Sequence, residues 1–355
     1  MKEIIFVSPK LGIGGIQRAL TNIANWFVEK DYKVTFISCK KEEVFYDLDK
    51  RVNVIVPNKS RHGNGRNILL HYIYIIKYLR KEFKNNSSKN IISFGDAFNP
   101  LVLIAGIGLN KAIHISDRTS PDYNFKLYVK ILKKITYPLS TTFVAQTTRA
   151  AQWNKQKFGD KFEITTIPNP VRKVQTENVD KKKVILYVGR FAWEKAPDKL
   201  INAFANLDDR QGFILRMCGD GPMLDKMKQL AVDLNISGEV EFMGRVNNVN
   251  YHLTEASIFV LPSVLEGFPN ALCEAMSSGL PAICFNSIPY EDIGIPNKDL
   301  IVAQINSEES LQNCIQSLIN SKELRDKIGQ SAMDINIRLN NNVICGKFAN
   351  LIEYS

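Results

Sequence analysis

Short apolar runs alternate with helical patterns along the whole chain. In order, and with their flanking residues, the runs are EIIFVS, KVTFIS, NIISF, AIHIS, TTFVAQ, VILYVGR, FILRMCG, SIFVLPS, PAICF and DLIVA. Between the first two runs, Ile16, Leu20, Ile23 and Phe27 recur at the spacing of an amphipathic helix. Strands that alternate with helices predict parallel βαβ units with helices on both faces of the sheet. The pattern therefore predicts an α/β protein.

A break in this pattern near Ile167 suggests a domain boundary. The segment TTIPNPVRKVQTENVDKKKVILYV contains Pro168 and Pro170, then a polar stretch, then a new strand. At 355 residues the chain is long enough for two domains of about 150 to 200 residues each. About five predicted strands fall on either side of the break, so we predict two doubly wound domains.

Composition and charge narrow the class of protein. Hydrophobic residues make up 45% and charged residues 23% of the chain, as in folded soluble proteins. The net charge of +10 is uneven, because residues 1 to 170 carry +14 and the remainder −4. A basic half predicts an anionic partner: a phosphorylated substrate, an anionic membrane or nucleic acid. A basic surface without a specific partner is the alternative.

The location of the protein is also an expectation from the sequence. The start MKEIIFVS lacks the succession of a signal peptide, and the longest apolar run, Pro100 to Leu109, is shorter than the roughly 20 residues of a spanning helix. The six cysteines form no CxxC pair and indicate reduced thiols. We expect a cytoplasmic protein, with peripheral contact at the inner face of the cell membrane as a further expectation.

The glycine-rich segment LGIGGIQRAL follows the first strand. Gly12 and Gly14 match the first pair of a G-x-G-x-x-G dinucleotide fingerprint, but Gln17 occupies the third glycine position. The second strand ends at Lys40 rather than at an acid, so NAD binding is disfavoured. Gly14 and Gly15 still permit close approach of an anion to the helix N-terminus. A tight turn without a ligand is an equal alternative.

Two segments of the second half carry a more specific pattern. In YVGRFAWEKAPDKLINAF, Arg190 and Lys195 follow a predicted strand, where α/β sheets bind ligands. In LPSVLEGFPNALCEAMSSGLPAICF, Glu266 precedes a helix that contains Glu274. The two cations suit a diphosphate, the two carboxylates suit hydroxyl groups, and the helix N-terminus suits a phosphate. Together they indicate a nucleotide-sugar site.

These segments, with GGIQRAL, CGDGP and VEFMGRV, resemble the retaining GT-B glycosyltransferases of the large family usually numbered four. The resemblance implies two Rossmann-like, doubly wound parallel-sheet domains that face each other across a cleft. Residues 1–170 would bind the acceptor and residues 171–335 the nucleotide sugar. Residues 336–355 would form a C-terminal helix that crosses back to the first domain.

The resemblance also implies roles for individual residues. Arg190 and Lys195 would hold the donor diphosphate and stabilise the leaving group. Glu266 would contact hydroxyls of the donor sugar, and Glu274 the ribose. The remaining donor-binding positions are Gly14, Gly15, Gly221, Phe268, Pro269, Asn270, Ala271 and Leu272.

The acceptor side is predicted from KAIHISDRTSPDYN, which resembles a subgroup of bacterial surface-polysaccharide enzymes. Asp117 and Arg118 are the candidate acceptor-side residues, and they count among the catalytic candidates. His114 lies either near the reacting carbon or in the core. The family's acidic motif is degraded around Glu291, which leaves that residue in doubt as a ligand.

No metal or cofactor is expected beyond the nucleoside-diphosphate sugar itself. Asp47-x-Asp49 resembles the metal-binding motif of the other glycosyltransferase fold, but it lies in the wrong domain, and the four histidines lack zinc spacing.

Two segments, FKLYVKILKKITY and LLHYIYIIKYLRKEFK, combine apolar residues with lysine and arginine. Such helices either lie on an anionic membrane, where they would meet a lipid-linked acceptor, or pack their apolar side in the core. Both interpretations are open from the sequence.

The sequence therefore predicts a retaining, metal-independent glycosyltransferase. It would move a hexose or N-acetylhexosamine, expected to be UDP-linked, to a glycan acceptor, expected to be polyprenyl-diphosphate-linked, in capsule or O-antigen synthesis. A GT-B sugar-nucleotide epimerase or a soluble-acceptor synthase is the enzymatic alternative. A basic module that binds membranes or nucleic acid is the alternative from another class, although nucleic acid is not the expected partner.

Overall fold

The computed structural model describes residues 2–12, 14–42, 46–58, 68–174, 180–305 and 307–353. The chain forms two compact units. Met1–Pro170 and Asn341–Ser355 form the N-terminal unit, and Val171–Asn340 form the C-terminal unit.

The N-terminal unit contains a seven-stranded sheet whose strand pairs are all parallel. Its strands are β1 (Glu3–Ser8), β2 (Lys33–Ser38), β3 (Asn53–Ile55), β4 (Asn90–Phe94), β5 (Ala112–Ser116), β6 (Thr142–Ala145) and β7 (Glu163–Thr166), in the order β3-β2-β1-β4-β5-β6-β7. Its first helices are α1 (Gly15–Glu29), α2 (Ile68–Asn85), α3 (Asn99–Gly106), α4 (Leu127–Thr136) and α5 (Thr148–Phe158). This order is that of a doubly wound Rossmann-like sheet.

The C-terminal unit repeats the architecture with six parallel strands. They are β8 (Val184–Val188), β9 (Ile214–Cys218), β10 (Val240–Gly244), β11 (Ile258–Leu261), β12 (Ala282–Phe285) and β13 (Ile301–Ala303), in the order β10-β9-β8-β11-β12-β13. Its helices are α6 (Pro197–Ala205), α7 (Leu224–Asp233), α8 (Val249–Glu255), α9 (Asn270–Ser277), α10 (Glu308–Asn320), α11 (Lys322–Ala332) and α12 (Ile335–Arg338).

The last helix, α13 (Asn341–Glu353), belongs to the N-terminal unit. Its residue Asn342 accepts a hydrogen bond from the Trp26 indole of α1 at 2.7 Å, and Phe348 lies against Phe94 of β4. The segment predicted as one C-terminal helix, 336–355, is thus divided between the end of α12 and α13.

The predicted α/β class with two Rossmann-like parallel-sheet units is confirmed, and all ten apolar runs contain strands. Three strands have no such run: β3, β7 and β10. Each lies at an edge of its sheet and is only partly buried. Edge strands are covered on fewer sides, so their sequences need not be apolar.

No helix within the described ranges is both long and apolar enough to cross a lipid bilayer.

Candidate functional site

Three neighbouring strands of the C-terminal unit end in loops that are tied together through the backbone. The loop after β8 donates from the Phe191 amide to the Asp220 carbonyl, 3.0 Å away in the loop after β9. On its other side, the Val264 amide beyond β11 donates to the Glu194 carbonyl at 2.9 Å. These loops lie at the carboxyl ends of the strands, which is the ligand-binding edge of open α/β sheets.

Glycines allow two of these loops to touch. A Cβ on Gly219 would lie 1.8 Å from the Gly189 carbonyl oxygen, and one on Gly221 would lie 2.4 Å from the Phe191 carbonyl oxygen. The amide of Gly221 donates to the Asp220 carboxylate at 2.7 Å. Gly221 therefore has a packing function, and its predicted contact with the donor stays a prediction.

The loop after β8 carries both predicted cations. Arg190 is exposed, and its carbonyl accepts a hydrogen bond from the buried Tyr187 hydroxyl at 2.9 Å, which fixes the loop from below. Lys195 ends a 3₁₀ turn that begins at Trp193, and its ammonium pairs with the Glu266 carboxylate beyond β11. The structure thus brings Lys195 and Glu266 into direct contact.

Helix α9 begins four residues after Glu266. Pro269 precedes it, and no side chain caps its N-terminus. Uncapped N–H groups and the helix dipole favour an anion at such a position. Phe268 and Leu272 are buried, so only their backbone can meet a ligand, whereas Asn270 is exposed. Glu274 lies one turn into the helix and is half-buried.

The described loops and α9 lie within residues 170–334, and this segment matches the family model described as "Glycosyl transferases group 1". Residues 170–334 form a group 1 glycosyltransferase domain. Arg190, Lys195, Glu266 and Glu274 all belong to this domain.

Relatives of similar length extend the likeness beyond the group 1 domain. An uncharacterized glycosyltransferase of Haemophilus influenzae is 28% identical over 91% of this chain and 92% of its own. A Campylobacter jejuni enzyme is 25% identical over 94% and 93%; its name describes an α-1,4-N-acetyl-D-galactosaminyltransferase acting on an undecaprenol-diphosphate-linked glycan. The Anabaena protein HepE, solved with UDP and glucose, matches with a TM-score of 0.81, full coverage of both chains and 14% identity, which shows a shared fold.

The backbone amides of the glycine-rich turn in the N-terminal unit donate hydrogen bonds to side chains of the same unit. The Glu42 carboxylate accepts from the amides of Leu11 and Gly12 at 2.9 and 2.8 Å, and the Gly14 amide donates to the Tyr46 hydroxyl at 3.3 Å. Burial alone would raise the pKa of Glu42, but these hydrogen bonds and Lys40 lower it. The sequence reasoning missed Glu42, because nothing in the motif marks an internal acceptor.

Gly14 and Gly15 differ in the space they leave. A Cβ on Gly14 would lie 2.2 Å from the Gln17 amide oxygen, whereas one on Gly15 would face open space. Gln17 is buried and donates to Ser8 at 3.3 Å. The structure therefore gives Gln17 a place inside the turn, where the dinucleotide fingerprint would need a third glycine.

Asp117 is partly buried and belongs to an ionic cluster beyond β4 and β5. Its carboxylate accepts from Lys133 of α4 at 2.5 Å and from the Tyr137 hydroxyl, and the Asn99 amide approaches it at 3.3 Å. The same ammonium lies 3.3 Å from Asp96, which follows β4 as Asp117 follows β5. Asp96 and Lys133 were not predicted; the parallel positions of the two acids at adjacent strand ends are the signal that could have revealed them.

Arg118 completes this cluster. Its amide donates to the Asp96 carboxylate at 3.0 Å, and its Nη1 donates to Asn169 at 2.6 Å. The guanidinium lies over the Phe94 ring, and its Nε and Nη2 atoms are buried without a hydrogen-bond partner. Burial lowers the pKa of Arg118, opposed by the two nearby aspartates. An acceptor-side role for Asp117 and Arg118 stays a prediction.

His114 is a core residue of β5. It is fully buried, and neither ring nitrogen has a hydrogen-bond partner. Burial lowers its pKa to about 4, so the ring is neutral at pH 7. Of the two interpretations left open by the sequence, the geometry favours the core.

The remaining acidic candidates show no metal arrangement. Asp49 accepts from the Arg51 guanidinium at 3.0 and 2.8 Å, and this contact lowers its pKa to about 2. Glu291 is exposed in a 3₁₀ turn after β12. Within the described ranges, no group of three or more histidine, cysteine or acidic side chains is arranged to hold a metal ion.

Proposed function

We propose that the protein is a retaining, metal-independent glycosyltransferase that transfers a hexose or N-acetylhexosamine from a UDP-sugar to a lipid-linked glycan. The product would be a bacterial surface polysaccharide such as capsule or O-antigen. One observation supports the proposal: Lys195 of the loop after β8 pairs with Glu266 of the loop after β11, within the segment that matches the group 1 glycosyltransferases. Arg190 belongs to the first of these loops, and α9, which contains Glu274, follows the second.

The chemistry follows from the charges of this site. Displacement at the anomeric carbon releases a nucleoside diphosphate, so negative charge grows on the phosphate oxygens. Arg190, Lys195 and the amides of α9 would stabilise that charge, the role that a divalent cation has in metal-dependent enzymes. The acceptor would attack the anomeric carbon on the face from which the phosphate departs, which would retain the configuration. A departing phosphate oxygen would take the acceptor proton.

The ion pair of Lys195 and Glu266 suggests how the donor is recognised. A bound sugar diphosphate would give each member a new partner, with phosphate for the ammonium and sugar hydroxyls for the carboxylate. The Lys195 side chain is 22% exposed, so a donor phosphate can reach its ammonium, whereas the Glu266 side chain is only 9% exposed.

The relatives support the choice of substrates. The name of the Campylobacter enzyme describes transfer of an N-acetylhexosamine to an undecaprenol-diphosphate-linked glycan, and HepE was solved with UDP and glucose. The basic N-terminal half suits an acceptor that carries a diphosphate.

Donor binding can be measured through Trp193. This exposed tryptophan lies in the turn that ends at Lys195, so we expect UDP to change its emission in a saturable manner. Lys195→Ala should weaken binding at least about tenfold, or 1.4 kcal/mol. Trp193→Phe should remove the optical signal, with binding still detectable by calorimetry. Tighter binding of single-stranded DNA than of UDP would instead support the nucleic-acid-binding alternative.

Turnover needs a separate experiment. UDP-sugars would be tested with a polyprenyl-diphosphate-linked acceptor, and the configuration of the new linkage determined by NMR. We expect an α-linked product from an α-linked donor, formed equally well in EDTA. Conversion of the donor without acceptor would favour the epimerase, and loss of activity in EDTA would contradict metal independence.

A further inference from the structure

Helix α4 turns its apolar side outward. Leu127, Ile131 and Ile135 are 72%, 49% and 65% exposed, whereas Lys133 on the opposite side is 5% exposed. An amphipathic helix that only packs against its own domain buries the apolar stripe. The core-packed interpretation left open by the sequence is therefore wrong for α4.

The orientation of α4 is fixed by its buried lysine. The Lys133 ammonium lies between the Asp96 and Asp117 carboxylates, and Tyr137, directly after the helix, donates to Asp117. Rotating the helix to bury its leucine and isoleucines would leave the two carboxylates without their cation, which is strongly unfavourable in a buried site. The exposed apolar stripe is thus built into the fold.

Helix α2 adds a second exposed apolar segment. Leu69, Leu70 and Ile73 in its first turns are 69%, 58% and 40% exposed. Burial and the neighbouring Tyr128 of α4 raise the pKa of Tyr72 of α2 to about 12, so the first turns of α2 and α4 lie next to each other. The α2–α4 surface, as we name it, consists of Leu69, Leu70, Ile73, Leu127, Tyr128, Ile131 and Ile135.

Lysines accompany these residues. Lys126, Lys130 and Lys134 are exposed along α4, and at 100° per residue Lys130 and Lys134 flank one side of the apolar stripe. Helix α4 contains no acidic residue, and Glu82 is the only acid in the sequence of α2. The surface therefore combines exposed apolar side chains with positive charge.

We propose that the α2–α4 surface docks on an anionic lipid bilayer. Its leucine and isoleucine side chains would enter the boundary between head groups and acyl chains, and its lysines would contact anionic head groups. A symmetric contact with a second copy would bring the same lysines together, which disfavours that occupant. The inference does not rest on the proposed function, because it requires neither a sugar donor nor catalysis.

The test is co-sedimentation of the full chain with vesicles of phosphatidylglycerol and phosphatidylethanolamine. We expect the combined change Leu127→Ser, Ile131→Ser and Ile135→Ser to lower the partition coefficient at least about tenfold. A matched variant in the C-terminal unit, Val232→Ser, Ile295→Ser and Ile337→Ser, removes three comparably exposed apolar residues and should bind as the unaltered protein does.

A second variant tests the contribution of the lysine charges and gives an independent result if the serine variant does not fold. Changing Lys126, Lys130 and Lys134 to glutamine should weaken binding to anionic vesicles and reduce its dependence on salt, with unchanged circular dichroism and thermal unfolding. Binding to pure phosphatidylcholine should be much weaker for every form.

Three results would overturn the proposal: failure of the unaltered protein to sediment with anionic vesicles, equal binding by the unaltered protein and both α4 variants, or equal loss of binding in the C-terminal control. A dimer in analytical ultracentrifugation that the serine variant dissociates, without vesicle binding, would assign the surface to a second copy instead.

Discussion

The two units place charged clusters at the same topological position, beyond the carboxyl ends of parallel strands, but build them differently. In the N-terminal unit, Asp96 and Asp117 share the Lys133 ammonium; the Asp96 and Lys133 side chains are each 6% exposed, and that of Asp117 is 11% exposed. In the C-terminal unit, the Glu266 side chain is similarly buried, at 9% exposed, but its partner Lys195 is 22% exposed and Arg190 is exposed.

The exposure of the cation distinguishes the two clusters: a buried cation stabilises the folded protein, whereas an exposed one can also bind a ligand. A buried ion pair cannot lose one member without leaving an uncompensated charge in the interior. A cation that is partly exposed, as Lys195 is, can exchange its carboxylate partner for a phosphate group, because water and ligand reach its ammonium. A position beyond the strand ends is therefore not sufficient evidence of a ligand site. The burial of the charged side chains and their pairing within the protein show whether a ligand can bind them.

The segments that lead into helices α1 and α9 show a related contrast. Neither helix has a side-chain cap at its N-terminus, but the turn before α1 has amides that donate to Glu42 and Tyr46. Both follow glycine-containing segments after strands, so the sequence motif alone does not distinguish an occupied turn from an open one. The hydrogen-bond partners do.

The largest expected effect is on the buried cluster. Lys133→Met should lower the free energy of unfolding by about 3 kcal/mol, because Asp96 and Asp117 lose their cation in a buried site. Urea unfolding followed by circular dichroism measures the change. Lys130→Met, on an exposed position of the same helix, should alter it by less than about 0.5 kcal/mol. Equal effects of the two changes would contradict the distinction.

More of the fold than of the candidate sites could be predicted from the sequence. Ten strands were recognisable as apolar runs because their residues are mostly buried between the covering helices, whereas β3, β7 and β10 lie at edges and are only partly buried. The edge strand β13 was recognisable because Ile301 and Ala303 are buried. The first helix was visible for the same physical reason, since Leu20, Ile23 and Phe27 are all buried.

The ionic sites depend on pairings that lie far apart in the sequence. Lys195 and Glu266 are 71 residues apart, and Lys133 and Asp96 are 37 apart. The motif pattern singled out the first pair, because both members lie in segments of recognisable composition. It missed the second because Lys133 looks like one more surface lysine of a basic helix, and only the tertiary structure shows that it points inward.

An intermediate effect is expected at the exposed cluster, on activity rather than on stability. Lys195→Ala and Glu274→Ala should each lower turnover at least about tenfold, or 1.4 kcal/mol in the barrier, because charge on the leaving diphosphate and the donor hydroxyls lose a partner. Lys199→Ala, four residues further along the chain, is the matched control. Initial rates with a UDP-sugar and urea unfolding of each variant provide the measurements.

Unaltered rates in both variants would remove Lys195 and Glu274 from the site. A loss of stability as large as that of Lys133→Met would instead show that Lys195 belongs to the same class of buried structural cation, and the contrast between the units would fail.

The smallest expected effect is a pH dependence that has opposite signs in the two units. Burial and the nearby Asp117 carboxylate raise the pKa of Asp96 from 3.8 to about 6. Between these values the folded protein binds more protons than the unfolded chain, so the contribution of Asp96 to stability falls as pH rises from about 4 to about 6.

In the C-terminal unit, burial alone would raise the pKa of Glu255, but hydrogen bonds from Lys182, Tyr251 and Arg216 outweigh it and lower the pKa to about 2. The contribution of Glu255 is therefore present above about pH 4.5 and is lost as pH falls toward 2.

The range from pH 5 to 7 is dominated by Asp96, because Glu255 is ionised there in the folded protein and already mostly ionised at pH 5 in the unfolded chain, where its pKa is 4.5. Linkage then predicts that the free energy of unfolding falls by about 1 kcal/mol more in the unaltered protein than in Asp96→Asn between these pH values. Glu255→Gln should show the same pH dependence as the unaltered protein. Parallel profiles for the unaltered protein and Asp96→Asn would mean that Asp96 is ionised at pH 5, with Lys133 compensating its charge fully, and the two clusters would then differ in burial but not in their proton equilibria.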